Sequence, residues 1–195
     1  MSSEIKSNVI SEVTSGSGVT IDGVKLKDNG VIVGDGGTIG STSDTDAMAI
    51  SSAGVITTPA RPSFYAYGAN FGATNITANS YVVLTTVSGN PAHNIGGHYD
   101  TSDGKFTTPV AGIYFFQFTW YVTDQTNYEW VLTDGTTNYA RIAYTPHTSN
   151  QQGNLVFSGK IDANKEIGIK NTVSDTRQVY ISATTQTIFS GFLVG

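Results

Sequence analysis

The stretch that most restricts what this chain can become runs from Gly104 to Val122, GKFTTPVAGIYFFQFTWYV. It opens with a short strand from Lys105 to Thr108. Pro109 has no N–H to offer a neighbouring strand, so the ladder stops there. Ala111-Gly112 turns the chain, and a long strand leaves from Ile113. Successive side chains alternate across a strand. That sets Tyr114, Phe116, Phe118, Trp120 and Val122 on one face and Ile113, Phe115, Gln117, Thr119 and Tyr121 on the other. Large apolar groups filling one face need a second layer over them. The strand therefore predicts the centre of a sheet that packs on another sheet.

A second stretch adds a demand of its own. The C-terminus, Thr187 to Gly195, reads TIFSGFLVG, with Ile188, Phe192 and Val194 on one face and Phe189 and Leu193 on the other. Chain ends normally fray. One that is apolar on both faces must be covered on both, and the cover expected here is another copy of the same chain.

Between and around these stretches the text is strand after strand. Strands are expected near 63–67, 71–77, 80–87, 93–99, 105–108, 113–123, 128–133, 138–144, 153–161, 166–171, 178–184 and 187–194. The clearest turns are Ser88-Gly89-Asn90-Pro91, Asp103-Gly104 and Asp134-Gly135. No segment carries a helical period, so the class is all-β. An apolar fraction of 38% is enough for a sandwich core, while charged residues make up only 13%.

These residues carry a resemblance. Arg61-Pro62 with Phe64, then Tyr99-Asp100, Gly104-Lys105-Phe106-Thr107, Pro109-Val110-Ala111-Gly112-Ile113-Tyr114-Phe115-Phe116 and Phe189-Ser190-Gly191-Phe192-Leu193 resemble the signature of C1q/TNF-like globular heads. The resemblance runs from Arg61 to Gly195 in the right order. It implies a jelly-roll sandwich that assembles as a compact trimer, binds ligands without catalysis and puts its C-terminal strand at the subunit interface. Trimer interface or core is accordingly assigned to Tyr114, Phe116, Phe118, Phe189, Phe192 and Leu193. Animal members of that family often carry a cysteine where this chain has Thr108. This chain has none anywhere, so neither a disulfide framework nor a thiolate metal site is available.

Upstream the character changes. Residues 1–14 read equally as a short helix or an extended arm. From Thr14 to Thr58 the text is rich in Gly and Ser, with short apolar beats: Val19, Ile21, Val24 and Leu26, then Val31-Ile32-Val33 after the Asp28-Asn29-Gly30 turn, then Ala47 to Ile50 and Val55-Ile56. Strands this short cannot bury their apolar faces alone, whereas three copies wound about one axis can. No glycine recurs every third residue, so the stretch is not collagenous. It resembles the stalk text of bacteriophage fibre and appendage proteins. The expected division is an arm and β stalk at 1–58, for particle attachment and trimerisation, and a jelly-roll head at 59–195.

Motifs for catalysis are missing: the chain has no Gly-x-Ser-x-Gly elbow, no His-Glu-x-x-His and no phosphate loop ending in Gly-Lys-Ser/Thr. His93 and His98 fall on opposite faces of any one strand, and His147 stands apart. No metal site or cofactor is assigned. Asp22, Asp28, Asp35, Asp44 and Asp46, with Asp100 and Asp103, are turn formers by default. No EF-hand spacing exists, but carboxylates beside Gly-rich backbone can bind calcium, and the resemblance to C1q/TNF-like heads, some of which bind it, leaves that ion open. Tyr128 and Trp130 share a face opposite Glu129, in a region that also holds Tyr121, Tyr139 and Tyr144. They read as sandwich core and interface, or alternatively as a ligand surface, since aromatic groups dominate binding hot spots.

The net charge of −5 without a Lys/Arg cluster argues against nucleic acid, and no apolar run reaches the length of a membrane span. The N-terminus lacks the apolar core of a secretory signal, which predicts assembly in a host cytoplasm. The function expected is that of a non-enzymatic phage virion protein. It would be a trimeric fibre, appendage or decoration protein that docks to other virion proteins through its N-terminal region and displays its heads to a host-surface glycan or protein receptor. The alternative is a soluble, extracellular C1q-like recognition protein for glycans or microbial surfaces.

Overall fold

A computed structural model describes residues 19–21, 24–27, 30–68, 72–122, 127–144, 151–181 and 186–195, with backbone alone for 19–27 and for residue 144. The expectations placed on residues 1–14, Asp22, Asp28, Asn29 and His147, and on the side chain of Tyr144, lie outside that description. Every element described is a strand. The chain divides into two units, Met1–Ala60 and Arg61–Gly195.

The first unit holds two small antiparallel meanders. One comprises β1 (Val19–Ile21), β2 (Val24–Lys27) and β3 (Gly30–Ile32) in that order; the other comprises β4 (Thr38–Ile39), β5 (Met48–Ile50) and β6 (Ile56–Thr57).

The second unit is a sandwich of two five-stranded sheets. Its strands are β7 (Ser63–Tyr67), β8 (Gly72–Ile76), β9 (His93–Ile95), β10 (Tyr99–Asp100), β11 (Lys105–Thr107), β12 (Gly112–Val122), β13 (Tyr128–Thr133), β14 (Asn138–Tyr144), β15 (Gln151–Ile161), β16 (Glu166–Asn171), β17 (Arg177–Ile181) and β18 (Ile188–Leu193). One sheet has the order β15-β12-β18-β7-β9, the other β10-β11-β16-β13-β14, and β17 pairs separately with β8.

The core lies where the alternation of β12 places it. Tyr114, Phe116, Phe118, Trp120 and Val122 all point inward and are buried. From the facing sheet come Phe106, Trp130, Leu132, Ile167 and Ile169. Rings meet across the gap: Phe106 and Phe116 lie 5.7 Å apart, Phe118 and Trp130 5.8 Å, and Phe64 and Phe106 5.0 Å. Room for these rings comes from glycines on the strands flanking β12. Gly153 pairs with Trp120 and Gly191 with Phe116. A Cβ would meet the Trp120 ring at 2.1 Å in the first case and the Phe116 ring at 2.4 Å in the second. A strand centre this dense in aromatics requires neighbours with no side chain at those two positions.

Two expectations are corrected here. The strand expected over 80–87 does not form a ladder. Tyr81 bridges to Lys170 and Thr86 to Tyr67, one contact with each sheet, while Val82 and Leu84 are buried between. A segment that passes from one layer to the other alternates like a strand but cannot pair along its length with either. The strand expected over 93–99 is two strands, β9 in one sheet and β10 in the other. Gly96 (φ +81°) and Gly97 (φ +70°) turn the chain between them, in a backbone conformation that side chains disfavour.

Turns are closed by the residues that the sequence marks. The Asp134 carboxylate accepts the amides of Thr136 (2.9 Å) and Thr137 (2.6 Å), which fixes the β13–β14 hairpin. Thr108, wholly buried, donates its hydroxyl to the Asp162 carbonyl at 2.7 Å and accepts the Lys165 amide at 2.9 Å. It thereby ties the end of β11 to the β15–β16 turn.

Candidate functional site

The register of the β15-β12-β18-β7-β9 sheet determines what its outward face presents. Ser158, Phe115, Phe192, Ser63 and Ile95 form one row across the five strands. The next row is Val156, Gln117, Ser190, Tyr65 and His93, and the next Asn154, Thr119, Ile188 and Tyr67. Ile113 stands beside Lys160 at the far end of β12, with Val194 tied to it by a 2.7 Å bond from the Val194 amide to the Ile113 carbonyl. No Asp or Glu occupies an outward position in these rows, and Lys160 is the sole side chain there that is always charged. Phe192 is 42% exposed and stacks on Phe115 with ring centres 5.2 Å apart. Ile95, Ile113, Val156 and Val194 are exposed as well. Exposed apolar side chains here alternate with Ser, Thr, Asn and Gln, on a face without carboxylates.

The two-sided apolar terminus is thus resolved. Phe189 points into the head's own core, Leu193 packs against its margin, and Ile188, Phe192 and Val194 face outward. The end does not fray, because the Leu193 amide bonds the Pro62 carbonyl at 3.0 Å and the Ile113 amide bonds the Gly195 carbonyl at 2.7 Å.

The other sheet presents the opposite chemistry. Arg141 donates to Glu129, and Thr172 donates to the same carboxylate at 2.6 Å. Arg141 first and Thr172 second hold the Glu129 carboxyl below its ordinary range. Lys105 bridges Glu166 (3.0 Å) and Asp103 (3.1 Å), and its ammonium lies 5.1 Å from the centre of the Tyr81 ring. Burial pushes the Asp134 carboxyl up. The amides of Thr137 and Thr136, the Lys165 ammonium at 3.3 Å and the Tyr139 hydroxyl outweigh it and bring the carboxyl down to about 2. Where β14 meets β15, a cleft of about 290 Å³ is lined by Thr137, Tyr139, Lys160, Ile161, Asp162 and Lys165.

Of the residues assigned to core or interface, Tyr114, Phe116, Phe118 and Phe189 are buried inside the single head, Leu193 lies partly buried at its margin, and Phe192 alone projects from it. The ligand-surface reading of Tyr128 and Trp130 is corrected. Both lie on the inward face of β13, with exposures of 2% and 0%, and stack on each other at 6.0 Å. The Tyr128 hydroxyl and the Trp130 indole N–H have no hydrogen-bond partner among the described residues. Alternation correctly groups the pair, but both are turned inward. The members of the outward face that sequence reasoning passed over are Tyr65, Tyr67, Ile95 and Val156. Each is unremarkable on its own strand, and the register alone brings them together. Among the described residues no three His, Asp or Glu side chains converge on a point that could hold a metal ion, and no helix is long and apolar enough to cross a membrane.

With the two-sheet sandwich and its apolar outer face established, comparison with known proteins has a geometry to meet. A family model of the C1q domain matches residues 71–194. The chain belongs to the C1q domain family. Its fold is similar to that of the globular domain of zebrafish complement 1qA, at 13% identity, covering 69% of this chain and 98% of that one with a TM-score of 0.50. It is also similar to Eiger TNF from S. frugiperda, at 13% identity, covering 69% and 94% with a TM-score of 0.53. No curated protein matches it. At such identities the likeness speaks for the fold, an all-β jelly roll of C1q/TNF type. The C1q match covers every strand of the sandwich except β7, which lies upstream of it.

Proposed function

We propose that this protein is a non-enzymatic, homotrimeric structural protein of a bacteriophage particle. In this reading it is a fibre, appendage or decoration protein whose N-terminal region docks to the virion and whose C1q heads face the host. The observation that carries the reading is the outward face of the β15-β12-β18-β7-β9 sheet, which presents Ile113, Phe115, Phe192, Ile188 and Val194 among uncharged polar residues and is free of carboxylates. Three such faces turned toward one axis bury Phe192, Phe115 and Ile113, and leave the ion-paired sheet of every head exposed. The virion assignment draws on the cysteine-free, non-collagenous β text of residues 14–58. Display is the mechanism: three identical heads, each making a weak contact with a glycan or protein receptor, bind far more tightly together than one because the second and third contacts form at high effective concentration.

Light scattering on the full chain tests the assembly, with a trimer expected and a stable monomer contradicting it. Immunogold labelling of purified particles tests the location. Gold at a tail tip or fibre assigns host attachment, and gold over the capsid assigns decoration. Unlabelled particles, with the protein free in the medium, favour a second reading. The cleft at the β14–β15 edge supports that reading, since Lys160, Lys165, Asp162 and Tyr139 suit the hydroxyls and acidic groups of a glycan. The protein is then a soluble C1q-like recognition protein.

A further inference from the structure

We infer that the cleft where β14 meets β15 takes a sugar that carries a carboxylate, of the uronic- or sialic-acid type, and that Lys160 is the group that recognises its charge. The inference deepens the glycan contact proposed above and rests on it. β14 and β15 are each the edge strand of their sheet, so the cleft opens on the flank of the head. Its volume of about 290 Å³ is at the small end for ligand sites, which run from roughly 300 Å³ upward. That suits a single sugar at the end of a glycan.

The walls of the cleft are fixed from behind. Asp134, with a side chain only 4% exposed, accepts the Tyr139 hydroxyl at 3.2 Å and the Lys165 ammonium at 3.3 Å, besides the amides of Thr136 and Thr137. Thr108 pins the turn that carries Asp162 and Lys165. Its hydroxyl donates to the Asp162 carbonyl at 2.7 Å, and its amide donates to the Lys165 carbonyl at 2.9 Å. Phe157 backs the Tyr139 ring, with ring centres 5.7 Å apart. Groups held in this way lose little freedom when a ligand arrives.

Charge selects the ligand. Asp134 is saturated and holds Lys165. Lys160 and Asp162 line the same cleft, yet among the described residues neither takes part in an ion pair, and both are exposed. The cleft therefore offers one uncommitted cation, one uncommitted carboxylate and an aromatic wall. A sugar carboxylate meets Lys160 in a charge-assisted bond, the sugar hydroxyls donate to Asp162, and the C–H side of the ring lies against Tyr139. A phosphate group fits less well, because it brings nearly two negative charges beside Asp162 for one ammonium to offset. A neutral sugar leaves Lys160 in water and gains nothing from it.

The test is saturation-transfer NMR on the assembled full chain, with glucuronate, N-acetylneuraminate, glucose and glucose phosphate as probes. It compares the wild type with Lys160→Ala and Lys160→Arg, and light scattering checks that all three assemble alike. One of the two acid sugars should bind roughly tenfold more tightly than glucose, and more tightly than glucose phosphate. Lys160→Ala should abolish that preference, and Lys160→Arg should keep most of it. Equal binding of acid and neutral sugars by the wild type overturns the inference. So does tighter binding of glucose phosphate, or a preference that survives in Lys160→Ala. In each of these cases sugar is still bound, and the glycan contact proposed above stands. A wild-type chain that binds none of these probes and no member of a panel of immobilised glycans overturns both together.

Discussion

The two outward faces of the head share a core and differ in nearly everything else. On the β10-β11-β16-β13-β14 sheet, Glu129 meets Arg141 and Lys105 meets Glu166 and Asp103. The outward rows of the other sheet carry Phe115, Phe192, Ile113, Ile188, Tyr65 and Tyr67 among uncharged Ser, Thr, Asn and Gln, with no carboxylate among them. Both faces are built from the same alternation, so strand pattern does not separate them. Charge does. A carboxylate paired at a wet surface loses little by staying there, whereas a patch of rings and branched chains gains from any surface that excludes water. The faces therefore differ in what they tolerate, and only one of them would gain from a partner.

The sharpest way to break this contrast is Phe192→Asp. If the apolar face is where copies meet, the variant buries three carboxylates without partners, and the dissociation constant of the assembly should rise by at least about a thousandfold. Because Phe192 is 42% exposed in one head, the sandwich itself should still fold. Light scattering with circular dichroism reads both, and a folded trimer would remove the distinction between the faces. Phe116→Ala separates face from core. Its ring has no exposure, so the head should lose about 3–5 kcal/mol in denaturant unfolding.

Acid probes the charged side alone. The Glu129 and Asp134 carboxyls are held below their ordinary range in the fold. Their contribution is complete above the unfolded carboxylate value and is lost as pH falls through the folded one. Head stability should therefore decline between about pH 4 and pH 2, with roughly 1–2 kcal/mol from Asp134. In Asp134→Asn that part of the slope should disappear; an unchanged slope would contradict the assignment. The smallest effect belongs to Arg141→Ala. Arg141 is 62% exposed in its pair with Glu129, so its removal should shift denaturant unfolding less than Asp134→Asn does and leave assembly untouched.

Much of this was legible before any coordinates. The inward face of β12, the breaks at Pro109 and Asp134-Gly135, the all-β class and the C1q signature follow from residues in sequence order. Two kinds of feature were not. The segment 80–87 alternates as a strand does, yet it passes between layers and joins each at one residue. Tyr128 and Trp130 were correctly grouped, but whether their shared face met solvent or core depended on the sheet laid over it. In both cases a local pattern was read correctly and its surroundings were missing.

The same division holds for the molecule as a whole. Alternation, glycine placement and turn chemistry are properties of neighbouring residues, and they alone determined that this chain makes twisted, punctuated strands with an aromatic centre and a terminus apolar on both sides. Which side of that terminus the head covers for itself was decided by pairing between distant residues: Phe115 with Phe192, Phe192 with Ser63 and Ser63 with Ile95. Burial depends on what lies across the sheet. A period of two records that a side chain has a face, but only the register of strands far apart in sequence determines what that face meets.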